Sequence, residues 1–96
     1  MDTTDPAAAV QRPSVLVVED DASLSTIVRR NLEVRGYSVR RAETAAQALE
    51  LIAAEAPALM LLDINLPDGS GWDVLRALGA RGQHVPTIVL SAVQVS

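Results

Sequence analysis

An α/β fold built on a doubly wound parallel sheet is predicted for this 96-residue chain by three observations. First, the apolar runs at 15–18, 58–62 and 87–90 lack polar/apolar alternation, the pattern of strands buried on both faces of a parallel sheet. Second, helix-patterned stretches separate these runs, and with a short strand between the first two they give a βαβαβαβ alternation that implies right-handed crossovers. Third, each run ends in acids or a hydroxyl: Glu19-Asp20-Asp21, Asp63-Ile64-Asn65 and Ser91-Ala92. Ligand crevices of open α/β sheets lie outside the carboxyl ends of the strands, so these groups are expected to converge.

Taken in order, residues 1–13 are Ala-rich, bounded by Pro6 and Pro13, and read as a flexible tail. A strand is expected at 14–19. The following helix carries Leu24, Ile27, Val28 and Leu32 on its inward stripe, with Asp21 as N-cap and Gly36 as its stop. A short strand at 37–41, flanked by arginines, suits a sheet edge. Thr44-x-x-Gln47 is a capping-box signature opening a second helix with Ala48, Leu49 and Ile52 inward, ended before Pro57. The third strand spans 58–63. A loop over 65–69, with a turn at Asp68-Gly69, leads to a helix at 70–80 with Trp72, Leu75 and Leu78 inward. The fourth strand spans 85–91. His84, alone before that strand, is assigned no role.

Composition narrows the function classes. About half the residues are hydrophobic (49%) while aromatics number only Tyr37 and Trp72, so the core is aliphatic. The length suits one small domain. A net charge of -4 argues against nucleic-acid binding by this segment. There is no cysteine, hence no disulfide or thiol chemistry. The N-terminal stretch has neither the apolar run of a signal peptide nor that of a membrane span. A cytoplasmic location is the resulting expectation.

Crowded carboxylates repel: two at about 5 Å cost roughly 3 kcal/mol at an effective dielectric near 20. One of them must take up a proton, or a divalent cation must neutralise them, and all-oxygen donors suit Mg²⁺ or Mn²⁺. A calcium loop starting at Asp63 is excluded because its sixth and twelfth positions are Asp68 and Val74 instead of glycine and glutamate. A Gly-rich phosphate loop is excluded because Glu19-Asp20-Asp21 follows the first strand.

The succession Val-Val-Glu-Asp-Asp, Leu-Leu-Asp-Ile-Asn-Leu-Pro-Asp-Gly-Ser-Gly and Leu-Ser-Ala strongly resembles the receiver domain of bacterial two-component response regulators. The resemblance covers residues 14–96 and implies a flavodoxin-like receiver fold with strand order 2-1-3-4. It further implies that Asp63 accepts a phosphoryl group from a sensor histidine kinase, with Mg²⁺ as cofactor. Asp20 and Asp63 would bind the ion directly, Asn65 through its backbone carbonyl and Glu19 through a water. Ser91 would hydrogen-bond the transferred group. Such a domain is a switch and not a metabolic enzyme, promoting only its own phosphotransfer and dephosphorylation.

Two departures stand out. The sequence stops after the fourth strand, so the fifth strand and helix of the family are missing from the pattern. All eight basic residues are arginines, so the family's lysine has no counterpart. An incomplete receiver acting as an unphosphorylated interaction module, or as the N-terminal piece of a DNA-binding transcriptional regulator, is the alternative. Self-association through the open fourth strand goes with it. A phosphohydrolase with an aspartate nucleophile is disfavoured because Asn65 stands where that class carries a second aspartate.

Overall fold

The computed structural model describes residues 12–90. Its sheet comprises β1 (Ser14–Val18), β2 (Ser38–Ala42), β3 (Leu59–Asp63) and, last in the chain, β6 (Thr87–Leu90). All pairings are parallel and the order is β2-β1-β3-β6, the expected 2-1-3-4 arrangement. Helices α1 (Ala22–Val34), α2 (Ala45–Ala54) and α3 (Gly71–Ala80) make the connections. A two-residue hairpin, β4 (Asn65–Leu66) and β5 (Gly69–Ser70), precedes α3.

Side chains alternate across each strand, which sorts the core into two layers. Leu16, Val18, Met60 and Leu62 meet Ala48 and Ile52 of α2 and Val74 and Leu78 of α3 in one continuous apolar cluster. Each fully buried Leu, Ile or Met contributes about 1.5–3 kcal/mol relative to exposure. The alternate residues Val15 and Val17 point to the other side, the side of α1, where Val17 lines a cavity with Ser25 and Thr26. Most of the N-terminal stretch expected as a tail lies outside the described residues. At its end, the Pro13 carbonyl already accepts the Ser38 N–H at 2.9 Å.

The local signals explain the helix ends. Asp21 caps α1 by accepting the Leu24 N–H at 3.0 Å. Gly36 (φ 94°) closes it: its N–H and that of Tyr37 bond the Glu33 and Leu32 carbonyls, the double closure that needs a left-handed residue. Thr44 caps α2 through the Gln47 N–H (3.0 Å), and Gln47 returns its side-chain oxygen to the N–H of Glu43, one residue earlier than a capping box would place it. A full capping box is present where the sequence reading had none, at Ser70 and Asp73. Arg40 reaches from the edge strand β2 to the Leu51 and Glu55 carbonyls (3.1 and 2.7 Å), covering the C-terminus of α2 with a cation.

Four expectations need correction. In α1, Leu24 and Ile27 are 43% and 59% exposed, and Ser25 is the buried residue. The apolar arc of α1 is wider than its contact with the sheet, and no other helix covers its flank among the described residues. Trp72 is 46% exposed, because the capping box starts α3 at Gly71 and turns Gly71, Val74 and Leu78 inward. The loop over 65–69 contains the β4–β5 hairpin, which drives Leu66 into the core. Finally, the apolar run of β6 suggested burial on both faces, but the open edge also expected for the fourth strand is what the structure has: among the described residues it pairs only with β3, and Ile88 is 52% exposed on the side of the sheet facing α1. An edge strand with one covered face keeps half its apolar surface in contact with solvent.

Candidate functional site

The register builds the site. Val18 pairs with Leu62, so the residues after β1 lie level with the last residue of β3, Asp63. Strand order reverses between β1 and β3, which opens the crevice there. The Glu19 N–H donates to the Ala42 carbonyl at 2.9 Å, holding the acidic turn to the end of β2. The Glu19 carboxylate accepts the Asp21 N–H at 3.0 Å. The Asp63 carboxylate accepts the Asn65 N–H at 3.1 Å. Glu19 and Asp63 are buried and Asp20 is exposed. One carboxylate oxygen from each of Glu19, Asp20 and Asp63 lies within 4.8 Å of the others.

Burial pushes the Glu19 carboxyl above the ordinary glutamate value of 4.5; the Asp21 N–H opposes this, while the charge of Asp63 and contacts with both aspartates add to it. Between that value and the raised one the folded chain binds more protons at Glu19 than the unfolded chain. Its contribution to stability therefore diminishes as pH rises through this window. Three carboxylates so close suit a hard divalent cation with oxygen ligands.

Of the residues expected here, Glu19, Asp20 and Asp63 come together, and Asn65 follows at the start of β4. Ser91 lies outside the described residues. Asp21 serves as a helix cap and His84 is exposed before β6, at the opposite end of the sheet from the acids.

Two residues near the site act in ways that sequence reading missed. Asp68, in the β4–β5 turn, accepts the Ala45 and Ala46 N–H groups at 2.8 and 3.1 Å and ties the segment after Asp63 to the start of α2. Those bonds hold its carboxyl below the ordinary aspartate value of 3.8. Arg41 donates to the carbonyls of Glu19 and Asp20 at 3.3 and 3.1 Å. Both contacts join residues more than twenty positions apart, so no local motif could announce them.

Asp68 yields a pH prediction. A depressed carboxyl stabilises the fold above its unfolded pKa, and that contribution is lost as pH falls through the folded one. Asp68→Asn should melt below the unmodified chain at pH 7, with the gap closing in strongly acidic buffer. A gap that persists unchanged at low pH would show that the charge of Asp68 is not what holds α2.

A twisted parallel sheet wound on both faces, with carboxylates gathered where strand order reverses, defines a flavodoxin-like receiver. The response regulator receiver domain family matches residues 15–96, and the chain belongs to that family. Response regulator MprA of Mycolicibacterium vanbaalenii is 40% identical over 78 residues, 81% of this chain and 34% of that protein. The chain thus spans about a third of the length of the curated relatives it matches. The Francisella response regulator 1452 receiver domain superposes with a TM-score of 0.81 at 27% identity, covering 88% of this chain and 70% of its own. The MaeR response regulator bound to beryllium trifluoride superposes at 0.78 with 38% identity, covering 85% and 69%. No helix among the described residues is long and apolar enough to cross a membrane.

Proposed function

We propose that this receiver accepts a phosphoryl group on Asp63 from a sensor histidine kinase in the cytoplasm, with Mg²⁺ as its cofactor. The observation that carries this reading is the approach of the Glu19, Asp20 and Asp63 carboxylates to within 4.8 Å at the sheet's switch point. Asp20 and Asp63 would hold the ion directly, Asn65 would offer its backbone carbonyl and Glu19 would act through a water. When bound, the ion neutralises charge on the phosphoryl oxygens. An Asp63 carboxylate oxygen attacks phosphorus, the phosphorus–nitrogen bond to the kinase histidine breaks, and the imidazole keeps the electron pair. Water later attacks the acyl phosphate and restores the carboxylate, so the domain promotes its own transfer and hydrolysis and turns over no other substrate. The Ser91 hydroxyl donates to the bound phosphoryl group. The segment itself engages no nucleic acid.

Trp72 is exposed in the first turn of α3, directly after Gly71, whose N–H meets the Ile64 carbonyl next to Asp63, and serves as the fluorescence probe. Titration with millimolar Mg²⁺ should change its fluorescence, and Asp20→Ala should abolish the change. Because Glu19 must give up its proton to serve the ion, affinity should rise with pH through the Glu19 titration. A folded protein with no Mg²⁺-dependent change in fluorescence, or in NMR shifts of Asp20, Asp63 and Asn65, would overturn the assignment.

The alternative reading is a receiver that takes up no phosphoryl group. On that reading the domain is an unphosphorylated interaction module. Either way, we propose self-association through the outer edge of β6, which has no strand partner among the described residues and exposes Ile88. Sedimentation velocity should show a dimer that Ile88→Lys dissociates; a monomer at all concentrations would exclude it.

A further inference from the structure

We infer that Arg41 is a positioning residue for the acidic pocket, its guanidinium setting the main chain of the Glu19–Asp20 turn so that both carboxylates stay directed at Asp63. Insofar as it concerns Mg²⁺ affinity, this inference rests on the metal assignment above. Arg41 Nε donates to the Glu19 carbonyl at 3.3 Å and Nη2 to the Asp20 carbonyl at 3.1 Å. One planar group thus spans two successive peptides, a geometry that a point-charge ammonium cannot reproduce. Arg41 lies in β2 opposite Val17 and lines a cavity together with Val17, Val39 and Ser25, its side chain 30% exposed. Glu43 stands 3.5 Å from Nη2 on the solvent side.

The need for such a clip follows from the local chain. Asp20 is exposed and lies between the end of β1 and the cap of α1, outside both hydrogen-bonded elements. Mutual repulsion of the acids favours swinging this turn away from Asp63. Three contacts oppose that motion: the Glu19 N–H on Ala42, the Asp21 N–H on the Glu19 carboxylate, and the Arg41 fork. Of these three, the fork is the one that reaches the Asp20 main chain.

The charge and the fork of Arg41 pull in opposite directions on a cation. A guanidinium near the pocket repels Mg²⁺ through space, whereas its hydrogen bonds order the ligands that bind the ion. The Coulomb effect is screened at a partly exposed side chain, and groups that orient ligands carry about 10–100-fold in metal affinity. Ordering therefore outweighs repulsion.

The test compares Arg41→Met, which keeps the stem, Arg41→Lys, which keeps the charge but not the fork, and Glu43→Gln as a control. Mg²⁺ affinity is read by Trp72 fluorescence, stability by thermal melting, and the turn by amide exchange of Asp21 in metal-free protein. Arg41→Met should weaken Mg²⁺ binding about tenfold. Arg41→Lys should recover only part of this, and Glu43→Gln should change nothing. Exchange at Asp21 should accelerate in Arg41→Met with or without metal. A melting shift with unchanged affinity and unchanged Asp21 exchange would reduce Arg41 to a structural residue and overturn the inference. Tighter binding in Arg41→Met would do so by showing that charge outweighs ordering. If the unmodified chain binds no Mg²⁺, the metal assignment fails, and Asp21 exchange alone decides whether Arg41 orders the turn.

Discussion

Asp63→Asn is expected to take up no phosphoryl group from a small phosphodonor, where the unmodified chain takes up about one per molecule in the presence of Mg²⁺. The amide removes the nucleophilic oxygen and the charge while preserving shape, and Asp63 is buried at the end of β3, where a bulkier probe would disturb the core. The adduct should be an acyl phosphate, labile to base and to hydroxylamine, and mapped by mass spectrometry to Asp63. Ser91→Ala should still accept the group, since a hydroxyl that contacts the product is not the attacking atom. Label on Ser91 or His84 would remove Asp63 from the nucleophile's role. Absence of label on the unmodified chain would favour the interaction-module reading.

Gly71→Ala is expected to be the most damaging of the alanine substitutions at the five glycines. A Cβ at Gly71 would stand 2.3 Å from the Asp63 carbonyl oxygen and 3.1 Å from the Ile64 Cα, both main-chain atoms with no freedom to rotate away. The close approach exists because the Gly71 N–H donates to the Ile64 carbonyl at 2.7 Å, locking the start of α3 onto the end of β3. Overpacking a rigid site costs about 3 kcal/mol, occasionally more. For a domain of this size that is a fall of roughly 12–24 °C in melting temperature. The displaced atoms are the main chain of Asp63, so Mg²⁺ affinity should fall with it. Gly79→Ala is the control: nothing lies within 4 Å of a Cβ there, and alanine in a helix is favoured by about 1 kcal/mol. Equal melting points for the two variants would mean that α3 can shift away from Asp63 without loss.

Much of this fold was legible because its signals are local. Unbroken apolar runs at β1 and β3, the Asp21 and Thr44 caps and the Gly36 stop each act within a few residues, and the structure follows them. The parallel order brings the ends of β1 and β3 together, so the meeting of Glu19, Asp20 and Asp63 was also implicit in the pattern.

What the sequence could not settle is which side of each element finds a partner. The periodicity of α1 offers an arc holding Leu24, Ile27, Val28 and Leu32, yet only packing on the sheet decides that Ser25 goes inward and Ile27 stays out. Trp72 was misjudged for the same reason: hydrophobicity says what gains from burial, while the neighbouring elements determine whether burial is available. The Asp68 latch on α2 and the Arg41 fork on the acidic turn belong wholly to the tertiary structure. Their partners are more than twenty residues away, and a lone turn aspartate or strand arginine has many possible uses until the chain folds. The sequence by itself determined the strands, the caps and the acids at the strand ends. The tertiary structure alone decided how those acids are held, because hydrogen bonds between distant segments leave no periodic trace in the chain.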